Sequence, residues 1–423
     1  MMKKGLIIFG LVATLLFGSL SLGACSKPKK YAISELEFGA LPVVYIETEK
    51  EKKPKNKVDY VPCSVNLLNV EEEYTLSSKP AGIRLRGNYT RKLKKKPYRI
   101  KFDEKTSPFG WKKNKSWVLL ALYLDPSNIK DYAAFSFAKA IGSEAFVPHA
   151  QHVEVYLNGE YLGLYLFTDQ VDENSGRTSV KQDFDANATE VPFLVEWDEY
   201  ARKEGKEGRE WFQIKNADSG VKSYFEVKYP EADERFSDAQ FDYIQNYVTT
   251  VNTLCHADGT TQAQFEEYVD LKAFLDYYLV QELMSQSDIN RKSINMSKAV
   301  GETLVMGPVW DFDWSAGGPV KDKKSGHLHY VGWMSDTNWF AYMMKKDWFQ
   351  SATRARWQEM KPALDTVLDE LVEYKATIAP AAEKNAVQWK RWTEGENSFD
   401  SYFDFVIENL RRRIGTIDGL LAI

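Results

Sequence analysis

Midway along this chain the apolar residues change their spacing, and that change limits the folds open to it. In the first half, strands are predicted at Ala40–Glu47, Tyr60–Leu68, Gly82–Arg86, Tyr98–Phe102 and Trp117–Tyr123, and GIRLR and YRIKF alternate apolar and basic residues at period two. His152–Leu157 and Tyr161–Phe167 flank Asn158-Gly159, the strongest short hairpin signal, and Phe193–Trp197 and Tyr224–Lys228 add two more strands. One helix is embedded, Ile129–Ile141, opened by the start signal Asp125-Pro-Ser-Asn128 and closed by Gly142. From Asp238 onward the spacing is helical, over Ala239–Cys255, Thr261–Tyr268 and Leu271–Ser285. A short β element follows at Thr303–Val309, and amphipathic helix dominates from Asp347 on. A β-rich half followed by a helical half predicts an α+β fold, for which a two-lobed body with a cleft is one natural solution.

Composition removes several classes. Of the 423 residues, 44% are hydrophobic and 27% charged, which excludes wholesale disorder and a polytopic membrane protein. A net charge of -5 argues against a protein that coats nucleic acid. Three cysteines cannot build a disulfide framework. Lys3 and Lys4, the apolar run Leu6–Leu20 and Leu22-Gly23-Ala24-Cys25 form a lipoprotein signal, so residues 1–24 are expected to be removed and Cys25 lipidated. Residues 25–38 would then be a tether to the outer face of a bacterial cell membrane. Cys63 and Cys255 either pair or stay as two buried thiols.

The densest chemical signal lies between Gln281 and Gly318. Asp288 follows a strongly apolar helix, and Asp311 follows a strand-like run and precedes a loop with two glycines. The stretch between them fits a strand–turn–strand excursion that returns near its start. Two such carboxylates suit phosphoryl transfer, one accepting a hydroxyl proton and one holding magnesium. They also suit helix and turn caps. A second signal is the loop after Arg86, where Gly87 and Asn88 precede Arg91, Lys92, Lys94, Lys95 and Lys96. Glycine lets backbone N–H groups approach an anion, and cations offset phosphate charge. A solvated basic hairpin is the alternative. Lys101 shares a strand face with Arg99 and suits contact with the α- and β-phosphates. His327 and His329 form a weak metal signal, more simply a surface loop. The Trp-rich C-terminal part is expected to pack between helices.

Five segments together resemble the CotH kinase family, atypical protein kinases of the spore-coat type. They are IRLRGNYTRKLKKKPYRIKF (83–102), LDPSNIKDYAAF (124–135), VEVYLNGEYLGLYLFTDQV (153–171), ELMSQSDINRKSINM (282–296) and MGPVWDFDWSAGG (306–318). The resemblance implies an atypical protein-kinase-like bilobal fold over residues 39–350. Its N-lobe would span about 39–171 and its C-lobe about 172–350, with a helical extension at 351–423. It implies Asp288 as the catalytic residue and Asp311, Ser293 and Asp313 around magnesium or manganese. Lys101, Arg86, Gly87, Asn88 and Lys96 would contact ATP, with Asp169 and Gln170 in a hinge at Phe167–Val171. Ser293 stands where ordinary kinases carry a metal-binding Asn. The implied activity is transfer of the ATP γ-phosphate to Ser or Thr of a surface or coat protein. A catalytically inactive scaffold for envelope or coat assembly is the second reading.

Overall fold

In the computed structural model, the described residues are 29–185, 187–202, 208–216, 220–231, 236–287, 289, 292–317, 333, 338–391, 393–394 and 397–422. Cys25, Asp288, His327 and His329 lie outside them.

Seven strands build the first half: β1 (Val43–Thr48), β2 (Val61–Leu68), β3 (Leu76–Leu85), β4 (Tyr98–Thr106), β5 (Asn114–Leu120), β6 (Ala150–Leu157) and β7 (Glu160–Asp169). They close into a barrel in the order β1-β2-β3-β4-β5-β7-β6. The closing pair, β1 with β6, is the barrel's parallel one, while its other neighbours are antiparallel. The predicted strands are present, but their closure into a barrel is not visible in any one of them. Inward positions such as Ile83, Ile100, Trp117 and Val155 fill the lumen. Outward positions on β3 and β4 carry Arg84, Arg99 and Lys101. Asn158 takes φ 52 and Gly159 φ 80 in the β6–β7 turn, as the Asn-Gly signal requires.

Helix α1 (Lys130–Ala140) follows β5. Asp125 does open it: its carboxylate accepts from the backbone N of Ser127 and of Lys130, each at 3.0 Å. The second half carries a five-stranded antiparallel sheet of β8 (Phe193–Trp197), β9 (Trp211–Lys215), β10 (Lys222–Tyr229), β11 (Ile294–Lys298) and β12 (Val305–Met306), in the order β12-β11-β8-β10-β9. Helices α2 (Asp238–His256), α3 (Gln262–Glu266), α4 (Leu271–Leu283), α5 (Trp339–Met343), α6 (Asp347–Trp389) and α7 (Phe399–Leu420) complete it. Helix α6 crosses the expected boundary at 350/351 without a break.

Side chains from α6 tie the halves together. Arg356 donates to the Ile141 carbonyl at the end of α1 at 2.7 Å while pairing with Asp276 of α4 at 2.6 Å. Asn385 accepts from the Lys95 ammonium at 2.7 Å and from the backbone N of Leu164 at 3.2 Å. Trp339 and Trp357 are buried, in line with helical packing. Cys63 and Cys255 are free, and burial pushes both thiols up, Cys63 to about 12.

His152 of β6 meets the Asn128 carbonyl at 2.7 Å and the Tyr374 hydroxyl of α6 at 3.1 Å. Burial lowers its pKa to about 4, against weaker opposition from the Asn128 carbonyl and Asp125. The unfolded chain holds this proton up to about pH 6.5. Between those values the unfolded state binds more protons, so stability is complete above about pH 6.5 and falls as pH drops toward 4. Denaturant titration at pH 7.5 and 4.5 should show an acid loss from this group of about 3 kcal/mol. His152→Gln should remove that part of the loss, and an unchanged acid limb would show that the burial cost lies elsewhere.

Candidate active site

The site forms where the end of β3, the start of α1 and the segment after β12 meet. Arg86 leaves β3 with its backbone N still bonded to the Pro97 carbonyl at 3.2 Å. Gly87 then turns with φ 77, and a Cβ there would stand 2.5 Å from the Thr90 hydroxyl, so the turn demands glycine. The Arg86 guanidinium sits 5.5 Å from the centre of the Trp310 ring. Burial lowers its pKa, and Asp311 acts most strongly against that, with Asp131 and Glu196 adding to it.

Asp131 enters from the first turn of α1. Its carboxylate accepts from the backbone N of Phe312 at 3.0 Å. Burial pushes this carboxyl up to about 7; the Phe312 N–H opposes the shift, and Asp311 and Asp125 reinforce it. Lys130, also buried, reaches the Asp313 carbonyl at 3.5 Å. Asp311 has φ 70 and Ser293 has φ 55, conformations that cost energy for residues with a Cβ and cluster at functional sites. The Ser293 hydroxyl donates to the Asp311 carboxylate at 3.0 Å. The Gln286 amide holds the Asp311 backbone carbonyl. Antiparallel pairing of β11 with β12 brings Ser293 back to Asp311, the return excursion expected from the spacing.

Arg86, Asp131, Trp310, Asp311 and Asp313 line a recess of about 40 Å³. It is the size of a few waters, so a nucleotide would place only phosphate oxygens in it. Among the described residues no group of three or more His, Cys, Asp or Glu is arranged to hold a metal. Magnesium needs fewer, because it keeps waters and binds through one or two carboxylates plus substrate phosphates. The Asp311 carboxylate and the Ser293 hydroxyl supply hard oxygen donors of that kind, beside a second carboxyl that is costly to ionise. The donor set therefore fits magnesium.

The family model for CotH kinase protein matches residues 83–413. The chain belongs to this family. The match covers most of the chain and includes every site residue named above. No curated protein matches the chain.

Several residues expected to contact ATP stand away from the recess. Lys101 is exposed and pairs across the sheet with Gly82, whereas Arg84 pairs with Arg99. Gly82 lies four strand residues before Arg86, about 13 Å along the barrel. Asp131, the acidic residue of α1, acts on Arg86. Lys96 donates to the Arg91 carbonyl at 3.0 Å and lines a separate groove with Tyr98, Tyr156 and Lys384. Lys95 is buried against α6. Asn88 accepts from the Lys57 ammonium at 2.8 Å. Asp169 is buried, one oxygen accepting from Arg177 at 3.1 Å and the other from the His149 backbone N at 3.0 Å, which anchors the end of β7. The Gln170 amide donates to the Val171 carbonyl at 3.0 Å.

The structure therefore brings together Arg86, Ser293, Asp311 and Asp313, and adds Lys130, Asp131 and Trp310. The signal for Lys130 and Asp131 was two adjacent charged residues at the start of a largely apolar helix.

Proposed function

We propose that this chain is a lipid-anchored protein kinase on the extracytoplasmic face of the membrane, transferring the ATP γ-phosphate to Ser or Thr of surface or coat proteins. Family membership supports kinase-like activity. The observation that carries the reading is the convergence of Arg86, Asp131 and Asp311 on one recess, with Asp311 held by the Ser293 hydroxyl. Arg86 holds phosphate oxygens, with Gly87 letting the loop turn close to them. Asp311 and Ser293, with Asp313 adjacent, would hold magnesium. When bound, that ion supplies charge neutralisation between the phosphates. Asp131 sets the position of Phe312, and through it of Asp311. Asp288 takes the proton of the acceptor hydroxyl. Cys25 carries the anchor.

ATP titration in magnesium tests the placement. Arg86→Ala should weaken ATP binding by about tenfold or more, since it removes a charge-assisted contact from a water-poor recess. Lys101→Ala should change it less than about threefold, as an exposed cation does. Equal losses would move the phosphates onto the face of β4. No ATP binding by the unmutated chain in any metal would favour the inactive scaffold.

A further inference from the structure

A second groove, of about 1120 Å³, shares no lining residue with the 40 Å³ recess. Six lysines line it, Lys29, Lys30, Lys53, Lys94, Lys96 and Lys384, against three glutamates, Glu35, Glu37 and Glu160. The whole chain carries a net charge of -5, so this is a basic face on an acidic protein. Lys30 pairs with Glu51, Lys53 with Glu160 and Lys384 with Glu154. Among the described residues, Lys29, Lys94 and Lys96 pair with no carboxylate. Lys29 and Lys94 are exposed, and like charges gathered in a concave surface raise the local concentration of anions.

Two further observations say what the anion is attached to. The chain enters the described structure at this groove and is fixed there. Lys30 bridges to Glu160, and the Tyr31 backbone N donates to the Gly159 carbonyl at 3.0 Å, in the β6–β7 turn. Cys25 precedes Lys29 by four residues, which span at most about 14 Å when fully extended. A lipid on Cys25 therefore holds the groove within little more than a Debye length of the headgroups. Val387 of α6, also in the lining, is 69% exposed. An apolar side chain among cations suits a lipid interface, whereas a dissolved phosphate has no use for it.

We propose that this groove docks on the anionic headgroups of the membrane that holds the anchor, with its lysines meeting lipid phosphates and Val387 meeting the apolar layer beneath them. The inference rests on the lipid-anchor reading above. It adds an orientation to that reading. The β3–β4 loop gives Thr90 and Pro97 to the recess, and Lys94 and Lys96 to the groove. Docking through the groove thus sets the phosphate-binding recess beside the membrane surface.

The test uses the chain from Ser26 onward, which keeps every described residue and has no lipid of its own. It is sedimented with vesicles of phosphatidylcholine, with and without phosphatidylglycerol. The chain should partition onto the vesicles with phosphatidylglycerol, and less so as salt rises. Lys29→Ala and Lys94→Ala should each lower that partition about fivefold. Lys79→Ala, at an exposed position near the other end of β3, should not change it. Equal partition onto both vesicles, or a loss in Lys79→Ala matching that in Lys94→Ala, would overturn the docking face. Release by inorganic phosphate at matched ionic strength would replace the membrane with a soluble phosphate ligand. Mass spectrometry of the full chain from a bacterial host separates this inference from the anchor. Vesicle binding that depends on Lys29 and Lys94, in a protein whose Cys25 bears no lipid, would keep the groove and remove the anchor. A lipidated Cys25 with no vesicle binding by the soluble chain would do the reverse.

Discussion

Replacing Asp311 by Asn should lower phosphate transfer by more than about a hundredfold and remove the magnesium dependence of ATP binding. Asn keeps the size of the side chain and tolerates the left-handed backbone at φ 70, which Ala would not. It still accepts from Ser293 through its amide oxygen. What it loses is the negative charge facing Arg86. Substitutions that only touch a metal ligand commonly cost ten- to a hundredfold in metal affinity, and changing the ligand itself should cost more. Calorimetric titration of ATP with and without magnesium checks this. Asp311→Asn that still bound ATP in a magnesium-dependent way would remove Asp311 from the metal site. Because Ser293 and Gln286 also hold this segment, circular dichroism should show the fold unchanged.

The largest effect on stability is expected from Arg413 of α7. Its guanidinium donates to the Glu282 carboxylate of α4 at 2.8 Å and to the Glu282 carbonyl at 2.9 Å, and both side chains are almost fully buried. Removing one partner of a buried pair strands the other charge, at a cost of about 3–5 kcal/mol. Arg413→Met should therefore lower the thermal midpoint by several degrees. Arg413→Met combined with Glu282→Leu should recover most of the loss, since an apolar pair of similar volume is often neutral. A double variant as unstable as the single one would show that Arg413 acts through the helix end it contacts. Glu282 lies in the last turn of α4, a few residues before Gln286.

How far the sequence carried these conclusions depended on the range of the interaction. The Asp125 cap, the Asn158-Gly159 turn and the return of β11–β12 are local, and each was legible from a few adjacent residues. Alternation placed Arg99 and Lys101 on one face of β4 correctly. It could not say that β4 runs antiparallel in a register that carries Lys101 away from Arg86. Barrel closure depends on β1 meeting β6, a pairing of residues about a hundred apart, and no window of sequence contains both. Lys95 shows the same limit. Inside a run of lysines it reads as solvated, yet its ammonium is buried against Leu164 and Asn385, 69 and 290 residues away. Asp169 was expected to face a nucleotide, but its partners His149 and Arg177 come from loops whose paths no periodicity describes.

The most direct measurement uses the chain from Ser26 onward with ATP labelled on the γ-phosphate and magnesium, beside its Asp288→Asn variant. The account predicts label on the protein itself or on a Ser-rich test protein, lost in Asp288→Asn while ATP binding persists. Full transfer by Asp288→Asn, or no transfer by the unmutated chain despite magnesium-dependent ATP binding, would contradict it.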